Sequence, residues 1–363
     1  MEWHQVLREL HLYGGARILN GMDPKATLRP STVNGKITNI TLRSFGSFYS
    51  DVRSLGLLIV GCDFFQTEHE AKGFSPPEWR SMNVIKNPTW LCADQGHEWS
   101  FIANAAFIQR RGLLCDISAR ISHQIRACEW RLRQLSEAYS DQLSGALNSR
   151  AFKAGERFLD GYTSLCYLAL QAFLVDACVL RDYLSEFYAE VVIRAADENS
   201  KKITTLSGLL KVWRSAPPSD AAGKEMNASA KPDQWLFELG AYRDLVVHVA
   251  PLASAGRTLM AAFQGINLPG GQVLPAIKLP LPHKPANLKN DRVTGEYFDD
   301  PELNFARLRN VIEDVDSCRD ALEYAHVTMQ QLGALCSSVA KISPVEPEVP
   351  FITPTDLRIT PLS

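Results

Sequence analysis

The sequence predicts a mainly α fold, a helical bundle preceded by an N-terminal α+β region, and three observations carry that prediction. Apolar residues recur at helical spacing over 101–147 and again over 156–195. A third apolar-periodic stretch ends near Lys341. The first 98 residues differ: their patterns are short, mixed and punctuated by Gly and Pro.

In chain order, Lys36–Leu42 alternates, with Ile37, Ile40 and Leu42 among Thr and Asn, and Leu57–Val60 is a short apolar run; both predict strands. Gly14-Gly15, Ser75-Pro76-Pro77 and Asn87-Pro88 mark turns. Over 101–147, Ile102, Ala106, Ile117, Ile121, Ile125, Leu132 and Leu135 form the inner side of helical structure. Over 156–195, Leu165, Leu168, Ala172, Val175, Val179, Tyr183 and Phe187 leave so little polar surface that this helix belongs between others. Ile203–Trp213 predicts a shorter helix, and 215–231, with Pro217-Pro218 and small residues, a flexible loop. Asp233 is a suitable cap for a helix over 234–250 that Pro251 helps to end. Alternating apolar residues and prolines in 265–282 predict a hairpin or extended arm within a 265–299 insertion. Asp300-Pro301 opens a predicted helix to about Lys341, lined by Leu308, Val311, Ile312, Val315, Leu322, Met329, Leu332 and Val339. Five prolines from Ser343 onward predict an extended or disordered tail. The expected units are therefore 1–98, 99–342 and 343–363.

Composition excludes several classes of function. A net charge of −2 rules out a molecule that attracts nucleic acid as a whole, so any such contact must be local. The local excess in 101–157 is nine Lys or Arg against five acids. Eight scattered cysteines without a CxxC pair point to free thiols in a reducing cytoplasm. The start, Met1-Glu2-Trp3-His4, lacks the pattern of a secretory signal. The apolar run Cys166–Leu180 is interrupted by Gln171 and Asp176, which predicts a core helix rather than a membrane span. No GxxxxGK[ST] loop or GxSxG elbow occurs. Cys62, Asp63, His69, Cys92 and His97 do not have the spacing of a structural zinc site, and no metal or other cofactor is expected.

Chemistry concentrates in Tyr242-Arg243-Asp244-Leu245-Val246-Val247-His248. Asp244 and His248, four apart, share a helix face, so the carboxylate could fix the imidazole's tautomer. Arg243 and His248 stand about 140° apart on an ideal helix, which predicts that a distorted last turn or a second subunit is needed to bring them together. Asp176, an acid in an apolar background, is a supporting residue that needs a partner, with Arg243 or Arg181 available, and Tyr242 flanks the motif. Structural use of the same residues is the competing reading: Arg243 in a salt bridge and His248 at the negative end of the helix dipole.

Arg243, a polar Asp244, three further residues and then His248, late in a helical unit, resembles the signature of the HEPN superfamily. The resemblance covers about 100–340 and implies a HEPN-like helical bundle. It also implies a metal-independent endoribonuclease, a toxin or defence effector acting as a homodimer on RNA, with an antitoxin or sensor partner. Arg243 would then bind the scissile phosphate, Asp244 occupy the polar position and His248 transfer protons. Ala250 stands where some branches of the family carry a tyrosine. The residue types suit the reaction, because an imidazole exchanges protons at neutral pH and a guanidinium fork matches phosphate oxygens.

Overall fold

A computed structural model of the chain describes residues 7–21, 23–83, 93–248, 260–288, 302 and 315–350. Cys92, Ala250 and Pro251, the predicted helix start at Asp300-Pro301 with Leu308, Val311 and Ile312, and the tail beyond 350 lie outside them.

The N-terminal part forms six antiparallel strands: β1 (Leu7–Leu12), β2 (Arg17–Asn20), β3 (Lys25–Arg29), β4 (Asn39–Thr41), β5 (Ile59–Phe65) and β6 (Glu78–Ser81), in the order β4-β3-β2-β1-β5-β6. Two short helices interrupt them, α1 (Phe48–Ser54) and α2 (Glu68–Ala71). Alternation sends the side chains of β1 to opposite faces. On one face Leu10 and Cys62 lie opposite one another in register and share that side with α1. There Arg8 donates to Asn20 and to the Phe45 carbonyl (2.7 and 2.9 Å), with its guanidinium 3.6 Å from the Phe45 ring centre. On the other face Glu9, His11, Gly61 and Asp63 meet a helical layer.

That layer is built on α4 (Gly112–Ser149), about 57 Å long. Ile117, Ile121, Ile125, Cys128, Leu132, Leu135, Tyr139 and Leu143, three or four residues apart, give it one buried stripe. It packs against α3 (Ala93–Ile108) and against α5 (Gly161–Tyr188), which a reciprocal Asp160–Thr163 cap begins. Gly15, at φ +91°, turns the chain so close to α4 that a Cβ would stand 2.7 Å from the Tyr139 carbonyl oxygen. A π-helical turn (Ala189–Ile193) and α6 (Arg194–Ala196) extend α5. Shorter helices follow: α7 (Leu206–Trp213), α8 (Ala221–Ser229) and α9 (Trp235–His248). A hairpin of β8 (Ala261–Asn267) and β9 (Val273–Lys278) joins β7 (Arg157–Phe158) in a second, three-stranded sheet. The C-terminal helix α10 (Ala321–Ala340) is capped by Asp320. Its buried His326 accepts from the Tyr13 hydroxyl (2.9 Å) and donates to the Met82 carbonyl (2.7 Å).

The predicted mainly α bundle is corrected by this architecture. The fold is mixed, with a six-stranded antiparallel sheet and a second sheet of three strands beside the helices. The short alternation Leu10-His11-Leu12 within Leu7–Leu12 was the missed strand signal, and helix α3 runs across position 98. Helical structure over 101–147 breaks at Arg110, whose φ is +56°, before α4 begins. The 215–231 segment, expected as a loop, contains α8, because Asp220 caps it and Ala222 and Met226 are buried. Residues 315–320 are not helical, so the predicted helix to Lys341 starts at Ala321. Gly265–Pro282 contributes a hairpin, turned through Gly270 and Gly271 at positive φ. The run Gly161–Ala196 is long and apolar enough to cross a membrane, and half of its most apolar stretch is buried in the fold.

Candidate functional site

Helix α9 buries Leu236, Leu239, Tyr242 and Leu245 against the core, which leaves Arg243 and Asp244 half-buried and His248 exposed at its end. Tyr242 therefore points away from the motif: its hydroxyl donates to the Pro282 carbonyl (2.8 Å) and its ring meets Tyr324 edge to face. Arg243 donates through Nη1 to Asp244 Oδ1 (2.9 Å), and the same nitrogen lies 3.4 Å from His248 Nε2. Arg243 and His248, about 140° apart on an ideal helix, thus meet within one chain without a second subunit, because the long arginine side chain spans the angle between them. A guanidinium has no lone pair to offer, so this contact requires Nε2 to present its own, with the proton on Nδ1. The ion pair with Arg243 is one contact of Asp244 that the sequence did not assign to it.

Arg243, Asp244 and His248 line an open cleft of about 800 Å³ between α9, α7 and the C-terminal turns of α5. Asp182, on α5, accepts from Arg181 Nε (3.0 Å) and from the Leu206 backbone N–H (3.1 Å), and so fastens the start of α7 to the cleft floor. Lys211 in the last turn of α7 and Arg214 at its C-cap form the opposite wall, with the Ser207 hydroxyl and the half-exposed Phe237 ring also lining the space. The cleft therefore holds four permanent cations (Arg181, Lys211, Arg214 and Arg243) against two carboxylates, Asp182 and Asp244, each paired to an arginine beside it. Electrostatically it is a site for an anion, in a chain whose net charge is slightly negative.

Sequence reasoning missed Arg181, Lys211 and Arg214. For Lys211 and Arg214 a signal was present, since residues 201–219 carry four cations and no acid, while Arg181 was considered only as a partner for Asp176. The stretch singled out instead, 101–157, has its central arginines engaged. Arg120 pairs with Asp116 and Glu186, and Arg133 with Asp63 and Glu137. Arg131 takes Asp176, which also accepts from Gln124 (3.0 Å), so Asp176 is a structural partner of α4, bound to neither Arg243 nor Arg181.

Among the described residues, the others considered as ligands do not assemble. Cys62 is in the sheet core, His69 is exposed on α2 and His97 stacks on Phe101. Asp63 instead joins a buried network. It accepts from both Nε and Nη2 of Arg133 (2.8 Å each) and meets His11 Nε2 at 3.2 Å, while His11 Nδ1 lies 3.1 Å from Ser136 Oγ. Burial opposes ionisation of Asp63, but the hydrogen bonds from His11 and Arg133 outweigh it and hold the carboxyl down to about 2. Burial, helped by the Arg17 charge, holds His11 below the ordinary histidine range. Ligand atoms of Glu9, His11 and Asp63 lie within 4.8 Å of one another, yet a guanidinium already occupies the carboxylate a cation would use. Ser136, His11 and Asp63 have the connectivity of a hydrolytic triad, but all three are at most 1% exposed and no substrate could reach them. Comparison with protein-family models, with curated proteins and with solved structures finds no match to this chain, so the reading of its open cleft rests on the residues that line it.

Proposed function

We propose that the protein is a metal-independent endoribonuclease of the HEPN type, with Arg243 and His248 as its catalytic pair and Asp244 as the residue that positions Arg243. The observation that carries this reading is the approach of Arg243 Nη1 to His248 Nε2, 3.4 Å, at an accessible cleft lined by further cations. In the proposed reaction His248 Nε2 takes the proton of an RNA 2′-hydroxyl, and the oxygen attacks the adjacent phosphorus. The bond to the 5′-oxygen breaks, water entering the open cleft protonates the departing oxygen, and the imidazolium returns its proton to solvent. Arg243 stabilises the added negative charge on the phosphoryl oxygens, which favours it over the ground state. The products are a 2′,3′-cyclic phosphate and a 5′-hydroxyl.

Free cysteines, seven of them among the described residues, fit our placement of the protein in the cytoplasm. The homodimer, the antitoxin or sensor partner and the defence role rest on the sequence resemblance alone, since one chain suffices to bring Arg243 to His248. The competing reading is a non-catalytic binding or dimerisation module, and the Arg243–Asp244 ion pair is what favours it.

Incubation of the full chain with labelled single-stranded RNA in EDTA decides between them. His248→Ala should lower cleavage by about 100-fold or more. Its thermal midpoint should stay that of the parent, because the side chain is exposed. DNA of the same sequence should remain intact. Cleavage undiminished in His248→Ala would remove the catalytic assignment and leave the binding module.

A further inference from the structure

A second cavity, of about 410 Å³, adjoins the cleft, and Thr205 and Lys211 line both. Its wall is Ile193, the 200–204 segment and the outer side of α7, and it contributes Lys201 and Lys202 without a single carboxylate. Lys202 leans towards Glu186 at 3.4 Å, but Arg120 already neutralises that buried acid at 3.0 Å. Among the described residues Lys201, Lys211 and Arg214 have no ion-pair partner. The two hollows together thus expose Lys201, Lys202, Lys211 and Arg214 along one continuous surface, beginning beside Arg243. Ser200, Thr204, Thr205 and Ser207 interleave hydroxyls with these cations. Spaced cations and hydroxyls in a groove are what a flexible polyanion needs, since both bind phosphate oxygens without reading bases. Of the arginines of α4, Arg120, Arg131 and Arg133 are paired within the fold.

Building on the ribonuclease reading, we propose that the second cavity is a subsite for the flank of the RNA. A single strand cleaved at His248 continues over α7 and lays its next phosphates on Lys211, Lys201 and Lys202. The preferred substrate is therefore a flexible single strand long enough to fill both hollows, bound without strong sequence preference.

The test measures binding in a His248→Ala background, so that RNA stays intact, by fluorescence anisotropy with oligomers of about 12 and about four nucleotides. Lys201→Glu with Lys202→Glu should weaken binding of the longer RNA by about tenfold or more. It should also make the salt dependence shallower by roughly 1.4 in log–log slope, the share of two phosphate contacts. The shorter RNA, able to sit in the first cleft alone, should lose less than about twofold. Lys201→Ala with Lys202→Ala, which removes charge without reversing it, should show the same pattern at smaller amplitude and guards against misfolding. Equal affinity of parent and variants for the longer RNA would overturn the subsite while leaving cleavage at His248 untouched. A length-dependent loss in a protein whose parent cuts no RNA would uphold the track and sink the nuclease. Absence of RNA binding in every form would overturn both.

Discussion

One Arg–Asp–His cluster of this molecule lies between the N-terminal sheet and α4, and another lies at the end of α9. The residue types are the same and the environments opposite. Asp63, His11 and Arg133 are 1%, 0% and 12% exposed, and each polar atom of the imidazole and carboxylate is held by a neighbour. Arg243 and Asp244 are 30% and 35% exposed, and their partner His248 faces an open cleft. In the first cluster, low local polarity makes every hydrogen bond costly to lose and leaves no room for a substrate. In the second, water and ligands compete for the same groups, so the pair contributes little to folding and stays available for chemistry. Composition of a cluster thus says less about its role than what surrounds it.

Matched substitutions test that contrast most strongly. Asp63→Ala leaves the Arg133 guanidinium and the His11 ring without their shared acceptor in a buried site. It should cost about 3 to 4 kcal/mol of stability, towards the lower end for a broken buried pair because Glu137 still meets Arg133 at 2.7 Å. Asp244→Ala should cost less than about 1 kcal/mol. Urea midpoints of the two variants beside the parent measure both. Similar losses at the two sites would mean that exposure does not separate the clusters.

Acid sharpens the same comparison. An unfolded aspartate titrates near pH 3.9, whereas Asp63 in the fold is held down to about 2. Between those values the unfolded chain binds a proton that the folded chain does not, so the stabilisation is complete above about pH 4 and is lost as the pH falls towards 2. The full contribution is roughly 2.5 kcal/mol, of which about 1 kcal/mol disappears between pH 5 and pH 3. Parent stability should therefore fall by about that much more than Asp63→Asn stability over this interval, as read by urea unfolding at the two pH values. Parallel slopes would show that the Asp63 carboxyl is not specially stabilised in its ionised form.

The two clusters also differ in how far the sequence foretold them. Arg243, Asp244 and His248 sit within six residues, and local helical geometry was enough to find them, although ideal angles understated the reach of an arginine. His11, Asp63 and Arg133 come from β1, β5 and α4, and only the tertiary fold unites them. Asp176 illustrates the same limit: its need for a partner was legible, but the identity of Arg131, on another helix, was not. Helix α4 was readable because burial repeats every three or four residues over many turns. In α5, apolar around most of its circumference, the helix was legible but not its inner face: Leu165, Leu168 and Val175 are exposed, and Cys166, Leu170, Phe173, Leu174 and Ala177 are buried instead. Strands of three to seven residues carry too few repeats to stand out, which is how a six-stranded sheet was reduced to a small mixed region. The cationic wall of the cleft needed both kinds of information: the acid-free stretch 201–219 is visible in the sequence, but its placement opposite α9 is not.

Gly240 offers the finest probe of the open cluster, because it lies inside α9 where only helix propensity and one contact matter. An alanine Cβ there would stand 3.0 Å from Nη1 of Arg181, the guanidinium end of a flexible side chain on the cleft floor. A shift of a few tenths of an ångström relieves that contact, whereas replacing glycine within a helix gains up to about 1 kcal/mol. Gly240→Ala should thus raise stability by roughly 0.5 to 1 kcal/mol in urea unfolding. The displaced guanidinium should at the same time lower RNA affinity by less than about threefold, in the range of a weakened phosphate contact. Loss of stability instead would mean that Arg181, tied to Asp182, is too stiff to move. A gain in stability with unchanged RNA affinity would remove Arg181 from the proposed phosphate-binding surface and leave that proposed role to Lys211 and Arg214 on the opposite wall.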